Sequence, residues 1–204
     1  MAQISVTPSV ARLTCEEFLT QYDGTHAEWE DGEVITFAPA PRRHQQVGAF
    51  LLLLLDFYVE YNSLGKIFYS QFQMRLRAQK RGREPDILFV ATANLPRLQA
   101  NYLDGSADLA IEIISPESIR RDRETKFREY EQAGVPEYWL IDPFVQTVAF
   151  YQLTAEGRYQ DIPLDTEGRY HSRALPGLWL APDWLWQTPL PSTLGILKQW
   201  GLVS

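Results

Sequence analysis

The segment Leu109-Ala110-Ile111-Glu112-Ile113-Ile114 is a nearly continuous apolar run of strand length with one carboxylate inside it. Such a run belongs at the centre of a sheet covered on both faces, where an unpaired charge is costly. A second acid opens another apolar run, Pro85-Asp86-Ile87-Leu88-Phe89-Val90. Two partners are open to these acids. One is a divalent cation between adjacent strands, because hard oxygen ligands suit magnesium and the metal offsets their charge. The other is an internal ion pair with one of the many nearby arginines.

The surrounding sequence predicts a mixed α/β sheet with helices on both faces. Thr14-Cys15-Glu16-Glu17 reads as a capping box opening a short helix that ends near Tyr22. Alternating segments His26 to Glu30 and Glu33 to Phe37 flank Asp31-Gly32, a strong hairpin signal. Pro39 and Pro41 break the chain, and a helix is expected from Arg43 to about Leu64, stopped by Gly65, with Val47, Leu51, Leu54, Leu55 and Tyr58 inward. Extended segments follow at Lys66 to Ser70, Gln71 to Arg77 and Pro85 to Val90, with a basic turn around Lys80 to Gly82. A helical turn is read at Asn94 to Gln99, and a helix from Ser115-Pro116 to Ala133, closed by Gly134. Tyr138 to Ile141 reads as a buried strand and Val145 to Leu153 as an outer one. Turns at Glu156-Gly157 and Glu167-Gly168 and an amphipathic stretch from Ser192 to Trp200 complete the chain.

With 204 residues, 45% of them hydrophobic, the chain suffices for one well-packed core, so a single domain over 1–204 is expected. The single cysteine, Cys15, excludes an intrachain disulfide, and no Cys/His set has zinc spacing; both favour a reducing cytoplasm. Met1 to Ala11 lacks the pattern of a secretory signal, and the strongest apolar run, Ala49 to Leu55, is too short to span a bilayer. The net charge of −7 argues weakly against broad nucleic-acid affinity. Basic clusters nevertheless flank both acids: Arg75, Arg77, Lys80, Arg81 and Arg83 before Asp86, and Arg120, Arg121, Arg123, Lys126 and Arg128 after Glu112. These clusters suit a polyanion held near a metal, with Arg83 and Arg123 as candidate substrate contacts. They equally suit the solvated faces of a hairpin and a helix.

Phosphodiester hydrolysis at neutral pH needs a metal that lowers the pKa of water, carboxylates that fix it, and a cation beside the nucleophile. Asp86 and Glu112 have the chemistry of the first set and Lys126 that of the last. Asp122, Lys126 and Tyr130 fall at i, i+4 and i+8 on one helix face. If that face meets the sheet, Lys126 reaches toward Glu112; if it faces outward, Asp122 and Lys126 form a surface pair of little consequence.

Taken together, Pro85-Asp86, Ile111-Glu112-Ile113-Ile114-Ser115-Pro116, Asp122, Lys126, Tyr130, Gly134 and Glu137-Tyr138-Trp139-Leu140-Ile141-Asp142 resemble the Uma-type endonuclease family, a branch of the PD-(D/E)xK restriction-endonuclease-like superfamily. The resemblance extends to Glu28-Trp29-Glu30-Asp31-Gly32-Glu33 and His44-Gln45, and covers roughly Thr14 to Tyr151. It implies a restriction-endonuclease-like mixed β-sheet flanked by helices, with an N-terminal helix-hairpin, a core of about 14–151 and a C-terminal strand and helix extension over 152–204. It further implies magnesium or manganese bound by Asp86 and Glu112, with the backbone carbonyl of Ile113 as a further ligand and Glu28 as a metal ligand or water-orienting base. Strand alternation puts Glu28 and Glu30 on one face and does not choose between them; the family position favours Glu28. Ile114 stands where many of these nucleases place lysine, two residues after the acid, and the family pattern moves that role to Lys126. His44 suits phosphate binding or proton transfer, or a simple helix start.

The leading expectation is a metal-dependent DNA endonuclease acting through Asp86, Glu112, Lys126 and Glu28. The alternatives are a non-catalytic binding or scaffold protein on the same fold, and a hydrolase of a smaller phosphate substrate. A homodimer is expected, with the Trp-rich C-terminal strands as its interface. No base-reading helix or aromatic stacking motif is visible.

Overall fold

The computed structural model describes residues 12–204; Met1 to Ala11, where no secretory signal is read, lies outside the described residues. The expected capping box forms: Glu17 N–H donates to the Thr14 hydroxyl and the Glu17 carboxylate accepts from Thr14 N–H, opening α1 (Cys15–Gln21). The hairpin follows as β1 (Ala27–Glu30) and β2 (Glu33–Thr36), with both turn residues, Asp31 and Gly32, at positive φ as such a turn requires. Then come α2 (Arg42–Tyr61), β3 (Gly65–Tyr69), β4 (Gln73–Leu76), β5 (Arg81–Arg83), β6 (Ile87–Ala91), a 3₁₀ turn over Thr92–Arg97, β7 (Tyr102–Asp104) and β8 (Leu109–Ile113). A π-helical segment, Arg121–Lys126, runs into α3 (Phe127–Ala133), capped by Gly134 in the left-handed region. The chain closes with β9 (Glu137–Asp142), β10 (Thr147–Leu153), β11 (Tyr159–Asp161), β12 (Tyr170–His171), β13 (Trp179–Leu180), a 3₁₀ turn over Pro182–Trp186 and α4 (Thr193–Gln199).

Six strands form the main sheet in the order β11-β10-β9-β8-β6-β3, with β8 central as its apolar character demands. Only β8 and β9 run parallel in this sheet, because the helical crossover through α3 separates them. Five strands form a second sheet in the order β2-β1-β5-β4-β7, and β12 pairs with β13. Strand alternation sorts the core. Ile87, Phe89, Ile111, Ile113, Trp139 and Ile141 face α2 and the C-terminal segment, whereas Leu88, Val90, Ala110, Tyr138 and Leu140 pack with Tyr130 of α3 and with Met74 and Leu76 of β4. The same parity puts Glu112 on the α3 side.

Several boundaries differ from the sequence expectation. The long helix ends at its cap Asn62 rather than near Leu64, since Ser63 turns to positive φ. Gly65 therefore does not stop the helix; it opens β3, where a Cβ would lie 2.1 Å from the carbonyl oxygen of Val90. The basic turn spans 77–80 and includes Lys80 but stops short of Gly82, which is within β5, paired with Trp29 on one side and Arg75 on the other. After β8, Ser115 to Ser118 form a turn, with the Ser118 hydroxyl accepting from Ser115 N–H, so the helix begins later than Ser115-Pro116 suggests. β10 is not the outer strand of its sheet, because β11 covers it.

The C-terminal tryptophans expected at an interface between copies pack partly within the chain and stay partly exposed. Trp184, Trp186 and Trp200 pack against the cluster containing α2, and Trp179 lies 5.1 Å from Trp184 by ring centroids. Buried Glu137 secures the same segment, accepting from Trp139 Nε1, the Ser172 hydroxyl and the N–H groups of Arg173 and Ala174. Among the described residues no helix is long and apolar enough to cross a membrane. Gly65→Ala is expected to separate β3 from β6 and cost about 3 kcal/mol, the upper end of ordinary substitutions. A urea midpoint unchanged from wild type would show that β3 shifts without penalty.

Candidate active site

Asp86 lies just before β6 and Glu112 within β8, on antiparallel neighbours where Ile87 pairs with Ile111. The backbone ties them: Ile113 N–H donates to Asp86 Oδ2 at 2.6 Å. Glu112 is buried, and its Oε1 accepts from Lys126 Nζ at 2.9 Å and from the Tyr130 hydroxyl at 2.6 Å. The face carrying Asp122, Lys126 and Tyr130 thus meets the sheet. Tyr130 also packs edge-on against Tyr138, so its packing and hydrogen-bonding roles coexist.

One ammonium serves three carboxylates. Lys126 Nζ lies 2.8 Å from Glu28 Oε1, 2.9 Å from Glu112 Oε1 and 3.7 Å from Asp122 Oδ1. Burial alone would strip the proton from Lys126, but Glu112, Glu28 and Asp122 outweigh it and hold the ammonium charged. Glu28, not Glu30, lines the cavity. Its second oxygen meets Arg83 at 2.8 Å, and although burial opposes ionisation, Lys126 and Arg83 bring its carboxyl down to about 2. Both Glu28 oxygens, expected to be free for a metal, are therefore already engaged.

Glu112 goes the other way. Burial raises it most, Lys126 compensates in part, and Asp122, Asp86 and Glu28 add repulsion, leaving it at about 8. Burial likewise raises Asp122, whose Oδ1 is buried without a hydrogen-bond partner. Among the described residues no group of three or more His, Cys, Asp or Glu is assembled to hold a metal as it stands. The residues nevertheless fit a hard cation. Magnesium is commonly held by one or two carboxylates with waters filling the rest of its shell, and this cavity combines excess negative charge with an orphaned carboxylate oxygen.

His44 lies 3.2 Å from Asp86 Oδ2, the oxygen that also accepts from Ile113 N–H. Burial opposes its proton, but Asp86 and Asp122 prevail and raise it. It therefore stands beside a carboxylate expected to share the cation. The two candidate substrate arginines are placed elsewhere. Arg83 is completely buried, gripping Glu129 through two nitrogens and touching both Glu28 and Glu30. Arg123 pairs with Asp142 at 3.0 Å. Arg121, not singled out from the sequence, lines the cavity instead, its guanidinium 4.2 Å from the ring centroid of Phe37. Nothing local reveals that contact, because Phe37 and Arg121 meet only across the folded cavity.

Folding raises the proton affinity of Glu112, so the stability its proton contributes is present below the ordinary carboxylate range and is lost as pH rises through about 8. Without divalent cations, the wild-type Tm is expected to fall between about pH 6 and about pH 9, and Glu112→Gln, neutral throughout, to flatten that fall. Parallel curves for the two proteins would remove Glu112 as the cause.

The model of the Uma2 family, described as “Putative restriction endonuclease”, matches residues 15–183. No curated protein matches the chain. Among solved structures, a “putative nuclease belonging to DUF820” from Anabaena variabilis is similar, with a TM-score of 0.70 at 20% identity, covering 85% of this chain and 97% of that one. At that identity the likeness shows a shared fold.

Proposed function

As the chain belongs to the Uma2 family of restriction-endonuclease-like proteins, we propose that it is a divalent-metal-dependent endonuclease that hydrolyses DNA phosphodiester bonds. The observation that carries this reading is the buried Lys126 ammonium between Glu112 and Glu28, beside an Asp86 tied to the Glu112 strand. The helix thus supplies the lysine missing at Ile114, a position buried among apolar residues on the same sheet face as Tyr130.

Asp86, Glu112 and the Ile113 carbonyl would hold the ion, with the unpartnered oxygen of Asp122 as a further donor. Magnesium or manganese bound there supplies charge neutralisation and lowers the pKa of water. Lys126 presents a permanent positive charge where negative charge develops on the phosphoryl oxygens, and it needs no reorganisation because its carboxylate partners already hold it in place. Glu28, with both oxygens engaged, acts by positioning Lys126. Arg83 holds Glu28 in turn, which makes it a support behind the site and not a contact with substrate. His44 keeps Asp86 oriented.

Asp86→Ala should abolish magnesium-dependent nicking of plasmid DNA, and Lys126→Met should slow it by about 10²–10³-fold, the usual cost of losing one preorganised charge stabiliser. Nicking by Asp86→Ala at the wild-type rate would refute the assignment. Manganese titration calorimetry separates this reading from a scaffold on the same fold: the endonuclease binds the ion and Asp86→Ala does not, whereas a scaffold shows no binding in either protein.

A further inference from the structure

The site acids line a cavity of about 570 Å³ together with apolar side chains, which hydrolysis alone does not explain. Glu112 and Asp122 are nearly inaccessible in this cavity. The same cavity is lined by Leu52 of α2 and Tyr69 at the end of β3, the latter with 60% of its surface exposed. The volume suits a single small ligand.

Charge on the lining argues against an intact duplex. Among the described residues, six carboxylates line the cavity with only two permanent cations, Arg121 and Lys126. Lys126 is committed to three of those carboxylates. A duplex needs an extended cationic track, since its charge density makes phosphate contacts the main source of affinity. A duplex lying across the mouth also keeps its phosphates outside, away from the buried acids.

Arg121 is held less tightly, its one carboxylate neighbour among the described residues being Asp122 at 3.7 Å. Phe37 supports its guanidinium, and its Nε is buried without a hydrogen-bond partner. Asp122 Oδ1 is also unpartnered. The two charges offset each other at that distance, but neither atom has a hydrogen bond, and a ligand that completes both is favoured. A phosphate does so when one oxygen accepts from Arg121 while a cation shared with the phosphate is bound by Asp122.

Building on the nuclease reading, we propose that the cavity takes one unstacked nucleotide of a single DNA strand, with its phosphate on Arg121 and its base against Tyr69 and Leu52. Affinity then comes from stacking and one guanidinium contact. Single strands, overhangs and frayed ends are the substrates, and a closed duplex is a poor one. Phe37 is a positioning residue: its ring is already covered by Arg121 on one side and meets His26 at 5.1 Å, so it holds the guanidinium and leaves stacking to Tyr69.

The test is fluorescence anisotropy with the full chain, in EDTA and in calcium, using a labelled 12-mer of dT and a blunt duplex of about the same length. The single strand should bind at least about tenfold more tightly than the duplex. Arg121→Ala and Tyr69→Ala should each weaken single-strand binding by roughly tenfold, with Arg121→Lys recovering part of the loss. Phe37→Leu should reproduce the Arg121→Ala defect more mildly, and it serves in place of that variant should Arg121→Ala not show a cooperative melt. Equal binding of both DNA forms, or wild-type binding by Arg121→Ala or Tyr69→Ala, overturns the proposal. A duplex bound and nicked while the single strand is neither bound nor cut overturns this proposal alone and leaves the nuclease reading standing. Failure to bind or cut either DNA form overturns both.

Discussion

The sharing of one buried ammonium by carboxylates from different layers holds the site together. Glu28 comes from the five-stranded sheet, Glu112 from the six-stranded sheet and Asp122 from the π-helical segment that also carries Lys126. Removing any of these ions from water costs several kcal/mol, and the cost is recovered only when partners sit at hydrogen-bond distance. The Lys126 contacts therefore specify how both sheets and the helix meet. Arg83 repeats the device one step further back, joining Glu28 and Glu30 of β1 to Glu129 of α3, while Arg81 adds a second hold on Glu129. Carboxylates outnumber ammonium groups at the front of this network, and the unbalanced charge faces the cavity.

The π-helical turn matters for the same reason. In a regular α-helix starting at Ser115-Pro116, one face would be fixed from the first turn. Here the Ser115 to Ser118 turn delays the start, and the wider π segment brings Asp122 and Lys126 inward while Arg121 reaches Phe37. Such segments often occur where side-chain direction serves function. Adjacent residues of one turn thus line the cavity and seat Lys126 among carboxylates.

An acid inside an apolar strand proved informative but not selective. Glu112 and Glu137 are both buried acids in strands of the same sheet, yet Glu112 faces other carboxylates across a cavity and Glu137 is satisfied by four donors that anchor the C-terminal segment. The i, i+4, i+8 spacing made Asp122, Lys126 and Tyr130 legible as a unit without saying which way it pointed. Charge density similarly marked two arginine clusters but not their use. Arg83 became a buried strut, Arg123 a partner of Asp142, and Arg121 alone of these three lines the cavity. Gly65 was visible as punctuation, but its reason, a carbonyl of β6 where a Cβ would stand, lies in another strand.

The sequence by itself determined the hairpin around Asp31-Gly32, the central place of the Leu109 to Ile114 strand and the shared face of the helix residues. Turn chemistry, apolar runs and helical periodicity act over a few neighbouring residues. Only the tertiary structure decided that Glu28 is held by Lys126 and Arg83, that Arg121 rests on Phe37, and that the tryptophans pack against the cluster containing α2. Those choices depend on distances between groups far apart in sequence, and packing of the layers sets such distances.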